Sequence, residues 1–137
     1  MSAMHEFNQK IIEEFRANAG KVGGQFAGAS MLLLTTTGAK SGKSRTTPLV
    51  YTKDGARMVI IASMAGAPNN PDWYHNLKAH PTATIEVGGE KFQVKAAVTS
   101  GDERERLYNA QAALMPFFND YRKKTTRVIP VFVLERI

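Results

Sequence analysis

Phe7, Ile11, Ile12 and Phe15 recur at helical spacing, with Glu6, Lys10, Glu13, Glu14 and Arg16 between and beside them. That pattern predicts an amphipathic helix over residues 4–18. The glycine-rich stretch NAGKVGGQFAG then breaks the period. Beyond it the pattern turns to short β-branched and aliphatic runs: MLLLTTT at 31–37, RTTPLVYT at 45–52 and MVIIAS at 58–63. Pro48 marks the second run as an edge or a bulge, because proline gives no N–H to a ladder. Asp54-Gly55 supplies a hairpin turn into the third run.

Asn70 is a fitting N-cap and Pro71 a fitting first helical residue for a short helix to about Ala79, ahead of Pro81. ATIEV and EKFQVKAAV flank Gly88-Gly89 as a further hairpin. Ser100 and Glu103 have capping-box spacing for a helix to about Leu114, and RVIPVFVLERI reads as a last strand. The order is helix, three strands, short helix, two strands, helix, strand. Strands joined by hairpins rather than helical crossovers argue for a mostly β fold, an antiparallel sheet or small barrel with helices outside. With no repeat and no linker, the 137 residues fit one domain.

Composition narrows the chemistry. There is no cysteine, which excludes disulfides, a thiolate nucleophile and Cys-ligated metal sites. No apolar run approaches the roughly 20 residues of a membrane span. Acidic residues interrupt the N-terminus early, unlike a signal peptide, so the expectation is a cytoplasmic protein. The net charge of +6 favours anionic partners: nucleic acid, anionic lipid or a small polyanion. His5, His75 and His80 lack ligand spacing and read as surface residues. ERER at 103–106 reads as the solvated face of a helix.

The stretch GAKSGKS at 38–44 is close to a phosphate-binding P-loop. That motif needs four residues between its glycines and a helix after it. Here three residues separate Gly38 from Gly42, and the β-branched SRTTPLVY follows. The nucleotide-hydrolase reading therefore fails on spacing and on context. The chemistry of the turn remains: Lys40, Lys43 and Arg45 lie within six residues, and two glycines let backbone N–H groups face an anion. From the loop alone, an anion site and an ordinary solvated hairpin stand level.

Leu32 to Pro81 changes that balance. LLTTTGAKSGKSRTTPLVY followed by IIASMAGAPNNPDWYHNLKAHP resembles the deazaflavin-dependent nitroreductase and quinone reductase family, whose members use coenzyme F420. The resemblance implies a split β-barrel related to FMN-binding, pyridoxamine-phosphate-oxidase-like proteins. It implies a cofactor made of 8-hydroxy-5-deazaflavin with a phosphate and an oligoglutamate tail. Lys40, Ser41, Gly42, Lys43 and Arg45 match the positions that receive phosphate and tail. Ile61, Ala62, Ser63 and Met64 match those beside the ring, and Asp72, Trp73, Tyr74 and Asn76 the segment next to the coenzyme; Pro48 is a further cofactor-binding candidate. The activity implied is hydride transfer to an electron-poor conjugated acceptor. Ser63 and Tyr121 are the candidate proton donors.

The sequence departs from the family pattern where nitro-reducing members carry tyrosines. Val50 stands at one such position, and Met115, Phe117 and Phe118 surround the others, with Tyr121 kept. Val50, Met115, Phe118 and Tyr121 are thus expected to line an acceptor site that favours quinones or unsaturated lactones over nitro compounds. Rival readings stay open: an FMN reductase of the same barrel type, a coenzyme carrier, or a basic nucleic-acid-binding barrel, the last opposed by the lack of aromatics in MLLLTTT and MVIIAS. Trp73 and Tyr74 also read as a plain core pair. The first helix also reads as an interfacial membrane contact, although packing on the barrel suits its acidic residues better. The chain is expected to act as a monomer or homodimer.

Overall fold

The computed structural model describes residues 3–18 and 30–137, with side chains from Asn8 onward except that of Ala65. Its elements are α1 (Ala3–Ala17), β1 (Met31–Thr37), β2 (Ser44–Val50), β3 (Thr52–Asp54), β4 (Arg57–Ile61), a 3-10 turn at Met64–Gly66, α2 (Asp72–Ala79), β5 (Thr82–Val87), β6 (Glu90–Val98), α3 (Gly101–Leu114), α4 (Phe117–Lys124) and β7 (Val131–Arg136). The side chains of His5, Glu6 and Phe7, and the stretch 19–29, lie outside the described residues.

All seven strands form one antiparallel sheet in the order β2-β1-β5-β6-β7-β4-β3. The two edge strands, β2 and β3, are separated in sequence by Tyr51 alone. Two peptide steps span at most about 7.6 Å, so the sheet has to curl until its edges nearly meet. The chain connectivity thereby imposes a barrel. The run 45–52, expected as one strand, is split because Tyr51 leaves the ladder: its side chain is buried and its N–H donates to the Ser30 carbonyl. Pro48 does lie on an edge strand.

Period-two alternation sorts the strands into two faces. Leu32, Leu34, Met58, Ile60, Ala83, Ile85, Val94, Ala96, Phe132 and Leu134 point inward and form the barrel core with Trp73 and Leu77 of α2. On the outer face, Val59, Ile61, Val131 and Val133 pack under α3 and α4. Met31 and Leu33 pack under Ile11, Ile12 and Phe15 of α1. β1, β4 and β7 are covered on both sides, which is why they read as unbroken apolar runs. β6 alternates, Val94 and Ala96 buried and Gln93 and Lys95 exposed, because only one of its faces is covered.

Four sequence expectations need correction. Pro71, not Asn70, occupies the cap of α2, in extended backbone, and the helix begins at Asp72; the Asn70 side chain accepts a bond from Arg127 instead. Ser100 caps α3 by position, but no side-chain bond closes a capping box, and Glu103 turns to Arg57. A further helix, α4, follows Pro116, where no element was expected between the helix ending near Leu114 and the last strand. ERER is more than a solvated face. Arg104 donates to the Ile129 carbonyl, while Arg106 and Glu103 reach Asp54 and Arg57 of the β3–β4 hairpin.

Candidate functional site

A groove of about 800 Å³ runs between α1, the β1–β2 edge and the start of α2. The β1–β2 edge contributes Thr36, Ser44, Arg45, Thr46 and Thr47, and α2 contributes Asp72, Trp73 and Asn76. β2 can present these hydroxyls and this cation because it is the outermost strand of the sheet. Arg45 is exposed, and neither it, Lys40 nor Lys43 has an ion pair among the described residues. Arg16 also faces the groove, but Glu86 of β5 holds its guanidinium at 3.1 and 2.9 Å.

A smaller slot of about 180 Å³ adjoins the groove, and Asn8, Pro71 and Trp73 line both. Its walls are Pro48, Leu49 and Val50 of β2, Ile61 of β4, Ser63 and Met64 after it, and Phe117, Phe118 and Tyr121 of α4. These residues converge because β4 lies next to the far edge strand, β3, of the curled sheet and α4 packs over its outer face. The aromatic trio is self-packed, Tyr121 meeting both phenylalanines edge-on at 5.5 and 5.2 Å between ring centroids. Burial holds the Tyr121 hydroxyl above the usual phenol range, and Asp120 adds to the shift. It therefore stays protonated, as a donor, throughout the neutral range.

The turn at 38–43 is a hairpin whose own atoms accept from the Gly38, Gly42 and Lys43 amides. Gly38 donates to the Lys43 carbonyl at 2.8 Å and Gly42 to the Gly38 carbonyl at 3.0 Å. The amides of these two glycines are therefore bonded within the turn, and only its other backbone N–H groups could face an anion. Gly42 is needed for a different reason, its φ of +70°. The turn is anchored from α2. The Asn76 side chain accepts from the Ala39 amide at 2.9 Å and donates to the Thr36 hydroxyl at 3.1 Å.

Of the residues singled out from sequence, Arg45, Asp72, Trp73 and Asn76 meet in the groove. Pro48, Val50, Ile61, Ser63, Met64, Trp73, Phe118 and Tyr121 meet in the slot. Lys40, Ser41, Gly42 and Lys43 sit on the exposed hairpin tip beyond the groove lining. Ala62 is wholly buried in the barrel core, Tyr74 packs on Phe132, and Met115 joins the cluster under α3. Trp73 is a core residue and also lines the groove. Sequence reasoning missed Asn8, Gln9, Ile11, Ile12 and Arg16 as site residues, since the helical pattern of α1 says only that one face is covered. It also missed Arg127, which donates four hydrogen bonds into the segment that follows β4.

The curled antiparallel sheet with its outer helices is a split β-barrel. Its architecture matches a Listeria innocua structure of the pyridoxamine 5'-phosphate oxidase type, at 9% identity and a TM-score of 0.55 over 95% of this chain and 93% of that one. Sequence defines it further: the profile of the F420H(2)-dependent quinone reductase family matches residues 8–136, and the chain belongs to that family. The F420H(2)-dependent quinone reductase Rv1261c of Mycobacterium tuberculosis is 40% identical over 128 residues, covering 89% of this chain and 85% of the relative. A solved F420-H2 dependent reductase, FDR-A, is 38% identical with a TM-score of 0.71, over 77% of this chain and 94% of that one. Another solved relative, described as a domain-swapped dimer, is 34% identical with a TM-score of 0.73 over 96% of each chain. Among the described residues, no helix is long and apolar enough to cross a membrane.

Proposed function

We propose that the chain is a reductase working as one deazaflavin-binding domain, with reduced coenzyme F420 in the groove and slot and a conjugated organic acceptor, a quinone first of all, beside it. The observation that carries this reading is a polar, cationic groove opening into an apolar slot through the shared wall of Asn8, Pro71 and Trp73. It is the shape an elongated ligand with an anionic tail and a flat apolar head requires. The residues fit the coenzyme. Arg45 is a guanidinium without a carboxylate partner among the described residues, set among Ser44, Thr46 and Thr47, a donor set suited to phosphate. Lys40 and Lys43 lie at the hairpin tip, where a flexible oligoglutamate tail would meet screened positive charge. Asp72 opposes an anion in its own corner and keeps phosphate towards β2.

The bound coenzyme supplies the hydride; the chain binds, orients and excludes water. Pro48, Ile61 and Trp73 line the slot and would hold a planar head, and Phe117 and Phe118 line it on the α4 side. Ser63 and Tyr121 are the hydroxyls on this wall and the candidate proton donors to the reduced acceptor. The wall near Val50 offers apolar area in place of a phenol, which suits quinones and unsaturated lactones better than nitro groups.

Titration with oxidised coenzyme F420 and with FMN, following Trp73 fluorescence, tests the reading. Coenzyme F420 is expected to bind at least about tenfold more tightly, some 1.4 kcal/mol. Equal or reversed affinities would replace it with the FMN reading.

A further inference from the structure

Past Ile61 the chain leaves the sheet, so its backbone carbonyls lose their ladder partners. The segment 62–71 nevertheless has to hold an unusual shape. Met64 has φ +46°, a conformation disfavoured for any residue with a Cβ, and Gly66 has φ +81°. Met64 is also half exposed, so burial does not fix it. α4 presses on the segment from one side: a Cβ at Gly66 would come within 2.8 Å of the Lys124 Cβ and 2.9 Å of the Tyr121 carbonyl.

Arg127, in the loop before β7, grips the segment from another side. Its Nε donates to the Ala67 carbonyl at 2.9 Å and its Nη2 to the Ser63 carbonyl at 2.7 Å. Its Nη1 donates to the Ala62 carbonyl at 3.1 Å and to the Asn70 Oδ1 at 2.7 Å. All four acceptors belong to one nine-residue stretch, and no carboxylate pairs with this cation among the described residues. A planar fork can bridge four acceptors at fixed angles, which an ammonium cannot. The same stretch carries Ser63 and Met64, and it leads directly to Pro71 and Trp73; all four line the slot.

We propose that Arg127 is a positioning residue for the slot. It does not line the slot itself, but holds the 62–71 segment in the shape that presents Ser63 and Met64 to a bound planar head and its acceptor. The identity of that head rests on the function proposed above; the positioning does not.

The test uses the full chain, with Arg127→Met and Arg127→Lys beside the wild type. Amide exchange in the ligand-free protein reads the segment through Gly66 and Ala67, whose N–H groups bond to the Ser63 and Met64 carbonyls. Both variants are expected to lose at least tenfold protection there, with amides of β4 and β7 unchanged. Coenzyme F420 titration of the same proteins is expected to show a tenfold or larger rise in Kd for Arg127→Met, partly restored in Arg127→Lys, with an unaltered salt dependence because Arg45 and the lysines remain. Unchanged protection at Gly66 and Ala67 would overturn the proposal. So would protection lost evenly across the sheet, or failure of both variants to fold, since either makes Arg127 a general scaffold residue. A local loss of protection in a protein that binds no coenzyme would leave the positioning standing and remove the proposed function.

Discussion

Replacing Arg45 with alanine tests the proposed anion-binding half of the site. Arg45 is exposed on the edge strand and has no ion-pair partner among the described residues, so its removal leaves no buried charge behind. Folding stability should therefore change by no more than about 0.5 kcal/mol. A charge-assisted hydrogen bond to a phosphate contributes about 1.5–3 kcal/mol. Its loss should weaken coenzyme F420 about 10- to 150-fold. Part of this attraction is screened by salt, so the gap between wild type and Arg45→Ala should narrow as ionic strength rises. Lys40→Ala, at the hairpin tip and off the groove lining, should weaken binding less and lose its effect sooner with salt. The assay is Trp73 fluorescence titration at several salt concentrations, with a thermal melt of each variant. A Kd for Arg45→Ala within twofold of wild type at low salt would refute the placement of the phosphate beside β2.

Three further expectations follow from particular contacts. Val50→Tyr restores a phenol to the slot wall and should raise the rate of nitroimidazole reduction relative to menadione reduction; steady-state rates of the two proteins on both acceptors decide it, and efficient nitroimidazole reduction by the wild type would contradict the account of the apolar wall. Phe15→Ala empties the packing of α1 against Met31 and Leu33 and should cost about 3–5 kcal/mol, read by denaturant unfolding. Asp54 is held down to about 2 by Arg106 first and then Arg57. A depressed carboxylate stabilises the fold above its ordinary value near 3.8 and loses that contribution as pH falls towards 2. The wild type should thus lose stability between about pH 4 and pH 2 more steeply than Asp54→Asn, in melts across that range.

Local periodicity was enough to place most elements. The Gly88-Gly89 hairpin forms as read, with Val87 opposite Glu90, because a two-residue glycine turn has few alternatives. The hairpin read at Asp54-Gly55 forms one residue further on, with Asp54 still paired to Arg57 and the turn made by Gly55, at φ +62°, and Ala56. The apolar runs in β1, β4 and β7 announced strands, and the packing shows both of their faces covered. By contrast, the break at Tyr51 and the start of α4 depend on what each residue packs against, which no window of sequence contains. The same is true of the unformed capping box: Glu103 turns to Arg57, 46 residues away, and no spacing rule reports that competition.

The site divides along the same line. Segments contiguous in sequence, the GAKSGKS hairpin and the IIASM and NPDWYHN stretches, could be found as motifs because their chemistry is local. Which of their side chains share a cavity was decided by the curl of the sheet, which carries β4 and α4 to the face of β2. The curl also put Arg45 in the groove and left Lys40 and Lys43 at the hairpin tip. It turned Asn76 into a brace between α2 and the hairpin. Arg127 lies 64 residues from Ser63 and carries no motif, so nothing in its neighbourhood marks it. Its role arises only because the end of β4 needs donors once it leaves the ladder, and the fold delivers a guanidinium to that point. The alternation of faces, the turns and the chemistry of each motif were legible along the chain, since these depend on neighbours a few residues away. Which motifs meet, which amides are already bonded and which cation remains for a ligand emerged only on folding, because those depend on chain closure across the whole barrel.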